Sequence, residues 1–310
     1  MILKKSDTVL QTSNINQYIN SNPYAPILRA SIKIHESNNP IRPIVNYIPS
    51  PAYKLKKFIN YLFNQVLTNS NIYNRKKSIQ LADQLSQIHL TPNSKMISLD
   101  IHNMYTNIPI SETLTLIQNQ LHQQQYNSSF VTQLTGLLEC TLNQNYFSYD
   151  SKFYLQKDGL PMGSPLSSNI SEIFLQYLEQ NNINKLIKQF NINFYGRYVD
   201  DILLIYYNNN IDLSNNILNS FNSVHPNIQY SLEKEQDNKI NFLDLQIEKC
   251  NNKIIFDIYR KPTTSRISVC PTSYKYANFG YLLNRLNTIP LSAHRYNAEL
   301  HNILSIAQHN

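Results

Sequence analysis

The chain has 310 residues, of which 42% are hydrophobic and 15% charged, so it is long enough for one large or two to three smaller folding units and too apolar for a disordered polypeptide. Its net charge of +7 and pI near 9.1 point mildly toward a polyanionic partner. Cys140, Cys250 and Cys270 are odd in number and lack metal-ligand spacing, which argues against a zinc site or a disulfide framework, and no apolar run reaches signal-peptide or membrane-spanning length, so a soluble intracellular protein is expected.

In chain order, ILRASIKIH and IRPIVNYI are strand-like stretches parted by Glu36-Ser37-Asn38-Asn39-Pro40, which predicts a hairpin with a long loop over residues 27–48. From Ala52 the spacing turns helical. Leu55, Phe58, Ile59, Leu62, Phe63 and Val66 share one face, and Lys54, Lys56 and Lys57 lie off it. Met96 to Leu99 read as a buried strand that stops at Asp100. Ser111 is the expected N-cap of a helix carrying Leu114, Ile117 and Leu121, and another helix covers 129–143. After a polar loop comes DGLPMGSPLSS, where glycine and proline mark a turn and Ser164-Pro165 is the expected cap of a helix burying Leu166, Ile170, Phe174 and Leu178. Residues 194–199 and 202–207 read as two apolar strands joined at Asp200-Asp201. A helix over 213–224 follows, with Leu213, Ile217, Leu218 and Phe221 as its apolar face. FLDLQIEK and KIIFDIYRK then alternate around Asn251-Asn252, the clearest hairpin in the chain. Helical spacing returns from Tyr274, with a second segment capped by Ser292. Strands and helices mix without regular βαβ alternation, which favours an α+β class over a doubly wound sheet.

The chemistry is concentrated in three carboxylates. Asp200-Asp201 alone would read as a solvated turn. The flanks NFYGRYV and ILLIYY are too apolar for a peripheral loop, however, and a second strand-terminal carboxylate, Asp100, lies upstream. Between them a turn feeds a helix N-terminus, a natural place for phosphate-binding donors. Three carboxylates on neighbouring strands suit two Mg²⁺ ions.

Tyr198-Val199-Asp200-Asp201 resembles the YxDD box of reverse transcriptases. Ser98-Leu99-Asp100-Ile101 through Tyr105-Thr106-Asn107-Ile108-Pro109 resembles their first aspartate motif, and Gly159 through Ser167, GLPMGSPLS, their nucleotide-pocket motif. Finer details are similar to the Penelope-like retroelement branch. These are Thr106–Pro109, the MGSPLS form, Lys33-Ile34-His35, Arg42-Pro43-Ile44-Val45, Phe242-Leu243-Asp244, Tyr259-Arg260-Lys261-Pro262-Thr263, Asn284-Arg285-Leu286 and Ile289-Pro290-Leu291-Ser292.

The resemblance implies a right-hand polymerase fold. Fingers would span residues 1–95, a first palm strand 96–110, helices of fingers and palm 111–155, palm with the YVDD hairpin 156–262, and a partial helical thumb 263–310. It implies RNA-directed DNA synthesis with an RNA template, a DNA primer and dNTPs. Asp100, Asp200 and Asp201 would be catalytic, and these three with the Ile101 backbone carbonyl would bind two Mg²⁺, with Mn²⁺ as a substitute. Lys33 and Arg42 would grip the triphosphate, Tyr105 would exclude a 2′-hydroxyl, and Met162, Gly163 and Tyr198 would line the substrate pocket. Lys234 is a weaker candidate for the acid that protonates pyrophosphate. Read without the family, Tyr105 is a core tyrosine, Met162 a packing residue, and Lys33 and Arg42 solvated strand charges.

The chain departs from the related pattern at Ser31-Ile32 and Glu36, where leucine-proline and lysine are usual. No segment matches the GIY-YIG endonuclease common in that branch, so a fragment, a decayed copy or an endonuclease-free form is expected, with the endonuclease supplied elsewhere and action in the nucleus. Two rival readings remain: an inactive RNA-binding or maturase-like remnant, and an RNA-dependent RNA polymerase.

Overall fold

Eleven strands and ten α-helices account for most of the described residues of the computed structural model, which are 2–10, 12–32, 40–67, 73, 78–207, 213–260 and 272–308. In chain order they are β1 (Ile27–Ile32), β2 (Ile41–Asn46), α1 (Tyr53–Val66), α2 (Ser78–Ser86), β3 (Ser94–Ile101), α3 (Met104–Asn107), α4 (Ile110–Gln123) and α5 (Ser128–Leu142). There follow β4 (Tyr146–Tyr149), β5 (Lys152–Leu155), α6 (Ser167–Leu178), α7 (Asn184–Gln189), β6 (Ile192–Tyr198), β7 (Asp201–Tyr207) and α8 (Ser214–Asn222). The chain continues with β8 (Tyr230–Lys234), β9 (Lys239–Phe242), β10 (Leu245–Cys250), β11 (Lys253–Ile258), α9 (Thr272–Thr288) and α10 (Ala293–Gln308). Two compact units emerge, one of Met1–Asn71, His102–Asn184 and Val224–Gln229, the other of Ile72–Ile101, Lys185–Ser223 and Tyr230–Asn310.

In the first unit a four-stranded sheet runs β2-β1-β4-β5, with β1 antiparallel to β2 and parallel to β4. The β1–β2 pairing realises the hairpin expected over 27–48, and Lys33 lies outside the described residues. Helices α4 and α5 bury Ile117, Leu121, Val131, Leu134 and Leu138, the three- and four-residue spacing of one apolar stripe each. Two helix starts differ from expectation. Helix α4 begins at Ile110 after Pro109, so Ser111 is already inside it. Helix α6 begins at Ser167, because Ser164 is held by the Pro161 carbonyl in the preceding turn. Leu166, Ile170, Phe174 and Leu178 are nevertheless buried as the spacing requires.

The second unit stacks two sheets. One runs β6-β7-β3-β8, the other β11-β10-β9, all neighbours antiparallel. Met96, Phe194, Leu203 and Ile205 on the first meet Ile240, Phe242, Leu245, Ile247, Ile254 and Phe256 on the second, and Leu81, Ala82 and Leu85 of α2 close the core. Asn251 and Asn252 both have positive φ (48° and 62°), the I′ turn that their amide side chains tolerate best. The terminal helices are tied to this layer by charge. Arg260 forks onto Glu299, and Arg295 bonds Glu248. Ser292 accepts from the Arg295 N–H at 3.4 Å, the expected cap of α10. No helix of the described residues is long and apolar enough to cross a membrane.

One helical lysine is not where its spacing puts it. Lys56 is only 1% exposed, with its ammonium 4.6 Å from the ring centre of Tyr47 and no hydrogen-bond partner for Nζ among the described residues. Burial lowers its pKa from 10.5 to about 8. A group whose charged form is disfavoured by folding destabilises the native state most at low pH and releases that cost as pH rises through its folded pKa. Tyr47 acts oppositely above pH 10, since burial and then the charge of Tyr146 hold its hydroxyl above the usual range. Stability to urea is therefore expected to rise from about pH 8 to pH 10 and then level or fall. Lys56→Met is expected to raise stability at pH 7 by roughly 1–3 kcal/mol and to remove that rise.

Candidate active site

In the second unit the register brings distant carboxylates side by side. β3 pairs with β7 so that Met96 faces Ile205, Ser98 faces Leu203 and Asp100 faces Asp201. Strand alternation puts all six side chains on one face. Its Met96–Leu203–Ile205 end is sealed by the second sheet. At the other end a cleft of about 160 Å³ opens, lined by Asp100, Asp201, Ser98, Ser231 and Glu233, with Asn241, Phe242 and Leu243 as its other wall. Carboxylates directly opposite on antiparallel strands have Cβ atoms roughly 4.5–5.5 Å apart and repel. Lys234 pairs with Ile97, which is out of phase with Asp100 along β3, and so leaves from the opposite face of the sheet.

Asp200 occupies a different position from Asp201. The strands close at Tyr198↔Asp201, so the turn is Val199–Asp200 and Asp201 is already the first strand residue, one position from the expected joint. Val199 has φ +57°, while Asp200 is not among the positive-φ residues. That is the pattern of a II′ turn, whose first central position favours glycine. A β-branched residue there costs on the order of 1–3 kcal/mol. The turn persists because the Asp200 carbonyl accepts the Ile101 N–H at 3.0 Å, a direct bond to the strand end that carries Asp100. Phe242-Leu243-Asp244-Leu245 repeats the design. Phe242↔Leu245 closes the pair, Leu243 has φ +57°, and Asp244 is held by Arg285 at 2.9 Å. By contrast the turns at Asp150-Ser151, Asp237-Asn238 and Asn251-Asn252 put mostly Asp or Asn at positive φ. Leu243 also borders a second pocket of about 480 Å³ with Tyr198, Asp244, Tyr281 and Arg285.

The first unit joins three further motifs through backbone contacts. The Tyr105 carbonyl accepts from the Leu160 N–H at 2.7 Å, and the Met162 carbonyl from the Val45 N–H at 3.0 Å. Gly159 (φ +72°) sits so close to Thr106 that a Cβ would lie 2.1 Å from its carbonyl oxygen. Gly163 (φ +103°) sits equally close to Val45, at 2.2 Å. Tyr105 is half-buried, with its hydroxyl 3.3 Å from Ser168 Oγ. Met162 is half-buried and Gly163 exposed. Arg42 is exposed and faces Ser31 across the hairpin, on the same face as Arg29 and Ile44. Arg29, Ile44, Asn46, Lys57, Asn60 and Gly163 line an open groove of about 540 Å³.

Sequence reasoning left several residues of these sites without a role. Arg29 and Lys57 are ordinary surface charges until the hairpin and α1 form a groove. Glu233 and Ser231 join Asp100 only through the β3–β8 register. Arg197 is wholly buried and donates from Nη1 to the Val199 carbonyl at 3.1 Å, and an arginine within the apolar run NFYGRYV was the available signal.

Among the described residues, no three His, Cys, Asp or Glu side chains form a group that could hold a metal ion as placed here. The carboxylates that line one cleft are Asp100, Asp201 and Glu233, with Asp200 on the adjoining turn. Their chemistry fits a hard divalent cation, because oxygen donors suit Mg²⁺ and opposed carboxylates gain most from a bridging charge.

A family model described as reverse transcriptase (RNA-dependent DNA polymerase) matches residues 34–255. No curated protein matches the chain. Among solved structures, telomerase from Candida tropicalis, in complex with a fragment of telomeric RNA, shares 14% identity at a TM-score of 0.57, over 97% of this chain and 56% of that one. Telomerase from Candida albicans is similar at 14% identity and a TM-score of 0.58, over 96% of this chain and 57% of that one. The RNA-dependent RNA polymerase of a human picorbirnavirus shares 9% identity at a TM-score of 0.56, over 90% of this chain and 56% of that one. The chain thus spans little more than half the length of these structures. At such identities the likeness is one of fold, and the fold is the α+β right hand of polymerases.

The close approaches yield a stability test. Gly159→Ala and Gly163→Ala should each lose at least about 2 kcal/mol in urea denaturation, from backbone overlap and positive φ together. Gly280→Ala, in α9 with nothing within 4 Å of the new Cβ, should gain up to about 1 kcal/mol.

Proposed function

Because this chain belongs to the reverse transcriptase (RNA-dependent DNA polymerase) family, we propose that it copies RNA into DNA by adding deoxynucleotides to a primer 3′-hydroxyl. The observation that carries this reading is the cross-strand pairing of Asp100 with Asp201 beside the fixed Val199–Asp200 turn. We assign Asp100, Asp200, Asp201 and the Ile101 carbonyl to hold two Mg²⁺ ions, for which Mn²⁺ can substitute. When bound, such ions sharpen the primer hydroxyl and neutralise triphosphate charge.

The remaining work belongs to the chain's own residues. Phosphoryl transfer asks mainly for positioning and charge, so a rigid strand end suits the carboxylates better than a loop would. Arg42 offers a planar fork to phosphate oxygens, and Lys33 a point charge. Tyr105, tethered at its hydroxyl by Ser168, is suited to bar a 2′-hydroxyl. Met162 offers a flexible apolar side chain and Gly163 a bare backbone to the nucleotide, and Tyr198 shares a face with Asp201. The basic groove of Arg29 and Lys57 suits a template strand. We assign the four-stranded sheet of β3 and β6–β8 as palm, the β1–β2 hairpin as fingers, and α9 and α10 as part of a thumb. The Penelope-like branch, a retroelement origin and action in the nucleus rest on the motifs shared with that branch.

Primer extension on an RNA template tests the reading. Asp100→Asn, Asp200→Asn and Asp201→Asn should each lower kcat by about 1000-fold or more while template-primer binding persists. Tyr105→Ala should raise ribonucleotide incorporation about 10- to 100-fold. Affinity for template-primer should fall steeply with salt, as phosphate contacts require. A preference of the unaltered chain for rNTPs would make it an RNA-dependent RNA polymerase, and binding without incorporation even in Mn²⁺ would make it an inactive remnant.

A further inference from the structure

The bond from Arg197 to the Val199 carbonyl is a feature that the catalytic reading leaves unused. Arg197 is the largest fully buried side chain among the described residues, with no measurable exposure. It lies on β6 opposite Ile202, so it leaves the face of the sheet away from Tyr198 and Asp201. Burying a guanidinium is costly unless its donors are used, and a methionine or leucine would fill an apolar strand position without that cost. One of its donors is spent on the carbonyl two residues ahead, at 3.1 Å.

That carbonyl belongs to Val199, the residue held at φ +57°. The turn is therefore gripped at two successive carbonyls just after its strained bond. Arg197 holds the Val199 carbonyl from below, and the Ile101 N–H holds the Asp200 carbonyl from the neighbouring strand. The Arg197 backbone N–H is itself anchored to the Tyr73 carbonyl at 2.9 Å, so the brace has a fixed base. Val199 relaxed to negative φ would swing the Asp200 peptide and change the angle between Asp200 and the Asp100–Asp201 pair.

We propose that Arg197 is a positioning residue: its guanidinium holds the Val199–Asp200 turn in its strained form and so fixes the carboxylate of Asp200 relative to those of Asp100 and Asp201. The role rests on the polymerase reading above, but the brace itself can be measured without activity. Arg197→Lys keeps the charge and loses the fork. Arg197→Met keeps the volume and loses the charge. Val199→Gly removes the strain, since glycine adopts positive φ freely.

Two readouts on the purified chain decide the matter. In primer extension, Arg197→Lys should lower kcat about 10- to 100-fold with KM for dNTP changed less than about threefold, as a misplaced catalytic group requires. In the Val199→Gly background the same substitution should cost less than about threefold, because the turn no longer needs its brace. In hydrogen exchange, the Ile101 amide, bonded to the Asp200 carbonyl, should exchange at least about tenfold faster in Arg197→Lys than in the unaltered chain. Unchanged kcat and unchanged Ile101 protection would overturn the proposal. So would an equal loss of kcat with and without the Val199→Gly substitution, which would mark Arg197 as packing alone. Should Arg197→Met fail to fold, the lysine variant still decides through both readouts. An unaltered chain that never extends a primer would sink the polymerase reading, and Ile101 exchange would then still judge the brace.

Discussion

The antiparallel register between Ser94–Ile101 and Asp201–Tyr207 is the constraint on which the remaining chemistry depends. Because side chains alternate with period two, a slip of one residue would send Asp100 to one face and Asp201 to the other. The apolar residues prevent that slip. Met96, Leu203 and Ile205 must all face the β9–β11 sheet, and once they do, the carboxylates are carried to the same face at the open end. Hydrophobic burial at about 25 cal/mol per Å² is thus what holds two mutually repelling anions together.

Strain is concentrated where function is proposed. Ordinary hairpins in this chain put mostly Asp or Asn at positive φ, whereas Val199 and Leu243 adopt it against their steric preference. Both are followed by an aspartate, and both turns are held by an arginine, Arg197 in one case and Arg285 in the other. A strained backbone persists only when its surroundings overdetermine it, and at Val199 two hydrogen bonds and a closed strand pair do so.

The GLPMGSPLS turn owes its glycines to a different cause. Gly159 and Gly163 are not hinges. They are points where two backbones meet at a distance that leaves no room for a Cβ, against Thr106 and Val45. The motif thereby ties the hairpin β1–β2 and the segment after β3 to one short turn, and Tyr105, Met162 and Gly163 are brought into the same unit as Arg42.

Amphipathic spacing and turn chemistry were enough to reveal most of the elements. The apolar stripes of Tyr53–Val66, Ser128–Leu142 and Ser167–Leu178 are written in side chains three and four apart, and the Asn251-Asn252 turn in residues that tolerate positive φ. The convergence of Asp100 on the Asp200-Asp201 pair was legible too, because each interrupts an apolar stretch that reads as a buried strand. Tertiary structure alone decided the rest. The spacing that put Lys56 off the apolar face knew nothing of Tyr47, and no local signal distinguishes the turn residue Asp200 from the strand residue Asp201. Glu233, Arg29 and Lys57 acquire meaning only through strand register and helix packing, which are set by long-range burial that no short window of sequence contains.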